Sequence, residues 1–409
     1  MELNSLILEN GFRIIHLPAL GEVEYFGMFI NAGSRDEPKG YEGLAHFVEH
    51  TIFKGTERRK STYILNRIEN IGGELNAYTT KEETAIYTIS PYGNLKRAVT
   101  LVSDIISNSI FPENEIRKEK FVVEEELLSY LDTPAEDIYD KFDSFAFKGS
   151  SLAHNILGSD DSLKRFNREL CLQWLATKFT PRRSVLFYMG RENSRKVFNL
   201  ISEHFANLDR NEETIYRKKP ANVIHFHETI GLNSLHQCHN LFGMRVPGIY
   251  SEKRPALALI SNLLGGPGLN SILNIEMREK RGLVYSVESS LSSYTDCGLL
   301  TIYYGCDRSE EERCKEILRK TLDKIHQKGL SEAQVNAAKR QFIGQMILSH
   351  ENHEQHVLSS ARSMLHKNIV YSLEENIGLI KSIDRDCIME ILEDIKFDNL
   401  SSLTMKDVS

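Results

Sequence analysis

The period of apolar and polar positions changes along the chain and marks out its elements. Residues 45–53 put Phe47, Val48, Ile52 and Phe53 on one largely apolar helical face. A second helical stretch follows over 61–71 and stops at Gly72-Gly73. Two runs of period two, roughly 74–78 and 83–90, are rich in Tyr, Thr and Ile and predict a strand pair. Helices are predicted over 94–107 and, opening after Pro112, over 113–131. The same order then returns: a helix over 256–264, Gly265-Gly266, a helix through 270–280 and Gly282. Strands over 283–291 and 298–305 and a helix over 309–327 complete it.

The recurrence reads as a duplication. Gly55 and Gly265 are 210 positions apart, and Gly73 and Gly282 are 209 apart. Residues 207–221 are charged and poor in apolar side chains, as an exposed linker would be. The division is therefore a first domain over 1–210, a linker over 211–222 and a second domain over 223–409. The fold class is α+β: two homologous α/β domains, each a mainly antiparallel sheet with helices packed on one face.

Composition narrows the function. Of 409 residues 41% are hydrophobic and 26% charged, which is ordinary for a globular protein, and the formal charge of −7 makes no case for nucleic acid. No run approaches the ~18 apolar residues of a spanning helix. The first residues lack a basic region followed by an apolar core, so cytoplasmic residence without a membrane partner is the expectation. Six cysteines without a CxxC spacing read as unpaired thiols.

His46-Phe-Val-Glu-His50 is an H-x-x-E-H pattern, for which composition allows roughly 0.07 chance matches. On a helix, His46 and His50 stand one turn apart on one face and can close on one zinc ion. Glu49 lies on the same broad face, where a carboxylate can take a proton from a zinc-activated water. The duplication supplies a control. At an offset of 211 these three residues fall on Leu257, Ile260 and Ser261, so packing alone does not call for ionisable groups. A third ligand is needed. On 113–131 the apolar stripe through Ile116, Val122, Val123, Leu127 and Tyr130 also takes in Glu119 and Glu126, while Glu124 and Glu125 are rotated off it. One of Glu119 and Glu126 can be the ligand and the other can orient a ligating histidine. The pattern does not order them.

Residues 43–56 (Gly-Leu-Ala-His-Phe-Val-Glu-His-Thr-Ile-Phe-Lys-Gly-Thr) resemble the zinc helix of the pitrilysin/insulinase metallopeptidases, in the branch of mitochondrial processing peptidase and its bacterial relatives. The resemblance runs essentially end to end. It implies Glu126 as third zinc ligand, Glu119 as the acid behind a ligating histidine, and one Zn2+ per chain. Residues 72–79 resemble the family's strand that pairs with an extended peptide, implying substrate contacts at Asn76, Ala77 and Tyr78. Residues 264–273 and 278–285 also match, and imply that Arg278 and Tyr285 reach substrate near the zinc. Without the resemblance, Arg278 reads as one more charge on a solvated helix.

The family's fold implies four domains closing a chamber, of which this chain supplies one half, so a homodimer is the expected form. Peptides or unfolded protein segments are the expected substrates. The implied activity is zinc-dependent endopeptidase, with Glu49 as general base. A non-catalytic peptide-binding or assembly subunit of the same fold is the alternative, and a zinc hydrolase of other amides a third reading. Two features stand apart. Gly265-Gly-Pro-Gly268 places a proline in a turn where a hydroxylated or methionine-containing sequence is more usual. His350-x-x-His353-x-x-His356 matches no family ligand and reads as a solvated face.

Overall fold

A computed structural model describes residues 3–208, 214–221 and 225–407. Among the described residues, eleven strands form two sheets. The first holds β1 (Asn4–Ile7), β2 (Arg13–Pro18), β3 (Val23–Ile30), β4 (Glu74–Thr79), β5 (Thr84–Pro91) and β6 (Ser184–Gly190), in the order β1-β2-β6-β3-β5-β4. The second holds β7 (His227–Leu232), β8 (Cys238–Val246), β9 (Val284–Ser293), β10 (Gly298–Cys306) and β11 (Ser401–Asp407), in the order β7-β11-β8-β10-β9. In each, one pair is parallel, β2 with β6 and β7 with β11, and the other pairings are antiparallel. Without β1, the two orders correspond strand for strand. The duplication read from the glycine spacing is thus repeated in topology.

Helices α1 (Leu44–Thr51), α2 (Ser61–Glu69), α3 (Leu95–Asn108) and α4 (Glu113–Leu131) follow the predicted segments. The main helical layer covers one face of the first sheet, where Phe47, Val48, Ile64, Val99 and Val102 of the helices meet Ile14, Phe26, Met28 and Leu186 of the strands. Each such buried side chain contributes roughly 1.5–3 kcal/mol. The second sheet carries an equivalent layer, with Leu257, Ile260 and Leu318 against Leu300, Ile302 and Tyr304. At the positions matching His46, Glu49 and His50, therefore, Leu257 and Ile260 are core residues and Ser261 is buried with its hydroxyl against that of Ser289.

The opposite face of each sheet is also apolar and carries one helix. On the first sheet, Ile15, Leu17, Phe29, Val185 and Phe187 pack against Val357, Ala361 and Leu365 of the helix His353–Lys367. On the second, Leu241, Leu299, Tyr303 and Leu403 pack against Ile138 and Phe142 of α5 (Pro134–Ala146). Alternate side chains of one strand thus feed both faces, Leu299 and Tyr303 one and Leu300 and Ile302 the other, as the two-residue period requires. These helices are exchanged. One compact unit comprises 1–128, 154–217 and 350–371, and the other 129–153, 218–349 and 372–409. Each half of the chain lends a segment to the unit built by the other.

Three local readings are corrected. The stretch 207–221 is not uniformly exposed: Arg217 is 5% exposed, its Nε and Nη2 donating to both carboxylate oxygens of Asp36 at 3.0 and 2.7 Å. A guanidinium can be buried when a carboxylate matches its fork, and its partner lies far away in sequence. The linker positions 211–213 and 222 lie outside the described residues. The helix expected over 270–280 holds a π turn, Asn274–Glu279, with Lys280 N–H donating to Ile275 O at 3.0 Å. Val122, placed on the inward stripe of α4, is half exposed. No described helix is long and apolar enough to cross a membrane, and all six cysteines are free thiols.

Candidate metal centre

The helix α1 is short, and its ends are fixed by groups from elsewhere. Its N-cap, Gly43, has φ of +94°, and a Cβ there would come within 2.5 Å of Leu157 O, so only glycine fits. A glycine cap has no side chain to accept from the first helical amides. Glu37 does it instead, accepting from the N–H groups of Gly43 at 2.8 Å and Ala45 at 2.7 Å. Burial nevertheless pushes its carboxyl well above the usual range. Phe47 and Val48 of the helix and Ile52 at its C-cap are fully buried, which anchors the opposite face against the core.

That anchoring turns His46 and His50 to one side, with ring centroids 4.5 Å apart. Opposite them, α4 buries Ile116, Glu119 and Val123 at helical spacing, and the same stripe continues to Glu126. The Nε2 atom of His46 lies 3.7 Å from Glu126 Oε1, and Nε2 of His50 lies 3.3 Å from Glu126 Oε2. Donor atoms of His46, His50 and Glu126 all fall within 4.8 Å of one another, the one such trio among the described residues. A tetrahedral ion with bonds near 2.0–2.1 Å sets its ligand atoms roughly 3.3–3.4 Å apart. Two imidazoles and one carboxylate at these separations fit zinc. Glu126, 43% exposed, is less buried than an inward-facing residue of the stripe would be, and leaves the trio open to solvent.

Glu119 stands behind His50. Its Oε1 is 3.2 Å from His50 Nδ1, and its Oε2 accepts from Lys54 Nζ at 2.8 Å. A hydrogen bond at Nδ1 leaves the Nε2 lone pair directed at the trio. The two histidines differ accordingly. Burial, then the neighbouring His50, push the His46 imidazole down to about 3, so it stays neutral and ligand-ready. Burial also opposes charge on His50, but Glu119, Glu126 and Glu49 together raise its pKa. Burial raises the Glu49 carboxyl, with the Thr79 side chain and His50 pulling the other way. Lys54, Glu37 and Thr79 were not singled out from sequence. Lys54 follows His50 by one helical turn, which was a signal. Glu37 and Thr79 had none, because only the fold brings them to α1.

Thr79 ends β4, the edge strand beside β5, so Asn76, Ala77 and Tyr78 lie on a strand whose second edge pairs with no described strand. Tyr78 turns to the face packed by the helix His353–Lys367, and Ala77 to the face of the main helical layer. In the second unit, the guanidinium of Arg278 lies over the ring of Tyr285 at 5.8 Å, and Tyr285 is 82% exposed. The structure brings together the trio with Glu119 and Glu49, and separately Arg278 with Tyr285.

A family described as insulinase (peptidase family M16) matches residues 21–160, which contain the trio, and one described as the peptidase M16 inactive domain matches 165–342. An uncharacterized zinc protease of Mycobacterium leprae (strain TN) is 32% identical over 381 residues, 92% of this chain and 85% of that protein. This chain belongs to peptidase family M16. Another M16 relative, the uncharacterized zinc protease YmxG of Bacillus subtilis (strain 168), is 29% identical over 92% of this chain and 91% of its own. The M16 fold is shared with a solved protease from Helicobacter pylori, at 22% identity and a TM-score of 0.91 over 99% of each chain. It is also shared with the solved peptidase M16 inactive domain from Pseudomonas fluorescens, at 15% identity and a TM-score of 0.92 over 100% of this chain and 98% of that one.

Proposed function

We propose that this M16 chain is a zinc-dependent endopeptidase acting on extended peptides or unfolded segments. The observation that carries the reading is the trio His46, His50 and Glu126 with Glu49 beside it and Glu119 behind His50. These residues would hold one zinc, which when bound supplies Lewis acidity to lower the pKa of a water and polarise a peptide carbonyl. Glu49 takes the proton from the attacking water and returns it to the leaving amine. Burial that raises its pKa makes it a better proton acceptor in the ionised state. Glu119 fixes the His50 tautomer, and Lys54 holds Glu119 in place.

Extended substrate would add to the open edge of β4, with backbone pairing at Asn76, Ala77 and Tyr78. Arg278 and Tyr285 would hold the peptide carbonyl or the developing oxyanion. The reading extends to a homodimer enclosing a chamber, because the family resemblance implies two halves of two domains and this chain supplies one.

The test is cleavage of a quenched fluorescent peptide library by the purified chain, with chelator and then with zinc restored. Chelator-sensitive cleavage restored by zinc supports the reading. Peptide binding without turnover at full zinc occupancy would replace it by a non-catalytic peptide-binding subunit.

A further inference from the structure

A cavity of about 610 Å³ lies in the second unit, lined by none of the residues assigned to the candidate site. One wall is the π turn Asn274–Glu279 and the opposite wall is the helix Glu311–Lys328. The floor is aliphatic: Ile272, Ile275 and Ile317 are half-buried, and Ile325 and Leu330 are buried. The rim is basic. Lys320, Lys324 and Lys328 recur at intervals of four along the helix, so their ammonium groups share one ridge, and Lys280 and Arg281 face them from beyond the π turn.

One lining residue is acidic, Glu276, and it is already engaged by Lys280 at 2.6 Å and Arg281 at 2.8 Å. Lys320 reaches Glu316 at 2.8 Å, outside the cavity. The helix C-terminus favours a cation at Lys328, but it does not call for a row of three, since like charges one turn apart repel. With Glu316 counted, five cations to two carboxylates is still a local excess on a chain whose formal charge is −7. A π turn is a costly interruption that recurs at functional sites. The volume falls in the range of small-molecule sites, which combine apolar lining with a few convergent polar groups.

We propose that this cavity binds an amphipathic anion, an aliphatic chain carrying a carboxylate or phosphate head. The chain lies on the isoleucine floor and the head meets Lys324 and Lys328. An acidic peptide or a bare anion fits less well, because neither would cover the five aliphatic side chains of the floor. The same π turn carries Arg278, so the occupant rests on an element shared with the Arg278–Tyr285 pair.

The experiment is isothermal titration of the full chain with dodecanoate below its micelle concentration, at fixed ionic strength. Dodecyl phosphate distinguishes the two heads, acetate and inorganic phosphate present the heads alone, and dodecyltrimethylammonium presents the tail with a cation. The expected result is saturable one-to-one binding of at least one anionic amphiphile, weakened tenfold or more in the Lys324→Glu/Lys328→Glu variant and unchanged in Lys96→Glu. All three lysines are exposed, so the fold is not at stake. Equal binding by the double variant, equal binding of dodecyltrimethylammonium, or no saturable binding of either amphiphile overturns the proposal. Acetate or phosphate binding as tightly as the amphiphiles overturns it in favour of a plain anion site.

Discussion

Glu119 Oε1 lies 3.2 Å from His50 Nδ1 while His50 Nε2 lies 3.3 Å from Glu126, so a single imidazole joins the two acids of α4. The acids are seven residues apart, two helical turns along one stripe, and the ring spans the interval between them. One acid is 9% exposed and paired with Lys54, and the other is 43% exposed and faces the open trio. Their environments assign different tasks to chemically identical groups.

Glu119→Gln therefore weakens zinc binding without removing a ligand. The expected loss is roughly 10- to 100-fold in affinity, read by competition with a fluorescent chelator. Activity returns at saturating zinc. An unchanged affinity would show that Glu119 does not orient His50.

Glu49→Gln keeps one zinc per chain and the wild-type unfolding profile, and lowers kcat by at least ~10²-fold. Metal content and peptide cleavage are measured on the same preparation. Cleavage at the wild-type rate would falsify the assignment of Glu49 as base.

Zinc should also stabilise the fold. Added to chelated protein at 100 times its dissociation constant, it contributes roughly 2.7 kcal/mol to unfolding free energy. His46→Ala loses this increment, and thermal unfolding with and without zinc reads it. A His46→Ala protein still stabilised to the same degree would place the ion elsewhere.

Glu83 gives a pH-dependent contribution to stability. It is 3% exposed and accepts from Arg362 Nε at 2.7 Å and contacts His366 Nε2 at 2.6 Å, tying the helix His353–Lys367 to the sheet. Burial alone would raise its carboxyl, but His366 and Arg362 hold it below the ordinary range. A depressed folded pKa stabilises above the unfolded value of about 4.3, and that stability is lost as pH falls through the folded value. Glu83→Gln should be less stable than wild type at neutral pH, and the difference should shrink below about pH 4. Urea unfolding at several pH values checks this. A pH-independent gap would remove Glu83 from the account.

Arg217→Ala leaves Asp36 buried at 6% exposure without its fork partner, and withdraws a cation from Glu82. Breaking a buried pair in this way costs roughly 3–5 kcal/mol. Asp36 directly precedes Glu37, the residue capping α1, so zinc affinity should fall as well. Urea midpoint and zinc competition read the two effects. A midpoint equal to wild type would mean that the segment is held by other contacts.

Much of this was legible in the sequence because it is local. Helix and strand periods depend on side chains a few positions apart, and they placed α1, β4, β5, α3 and α4 within a few residues of their observed ends. H-x-x-E-H is one helical turn, so its geometry is a property of the segment, and the duplicated copy, with Leu257, Ile260 and Ser261, showed that packing did not require it. What periodicity left open, and only the family resemblance ordered, was Glu119 against Glu126, since both sit on one stripe and the position of α4 relative to α1 separates them. The tertiary structure also decided the exchange of α5 and of the helix His353–Lys367, the burial of Arg217 against Asp36, and the capping of α1 by Glu37. The exchange and the Arg217–Asp36 pair join residues distant in the chain, and the Glu37 cap crosses an irregular loop to amides six and eight positions on, so no periodicity carries the information, and a polar side chain reads as solvated until its partner is in place.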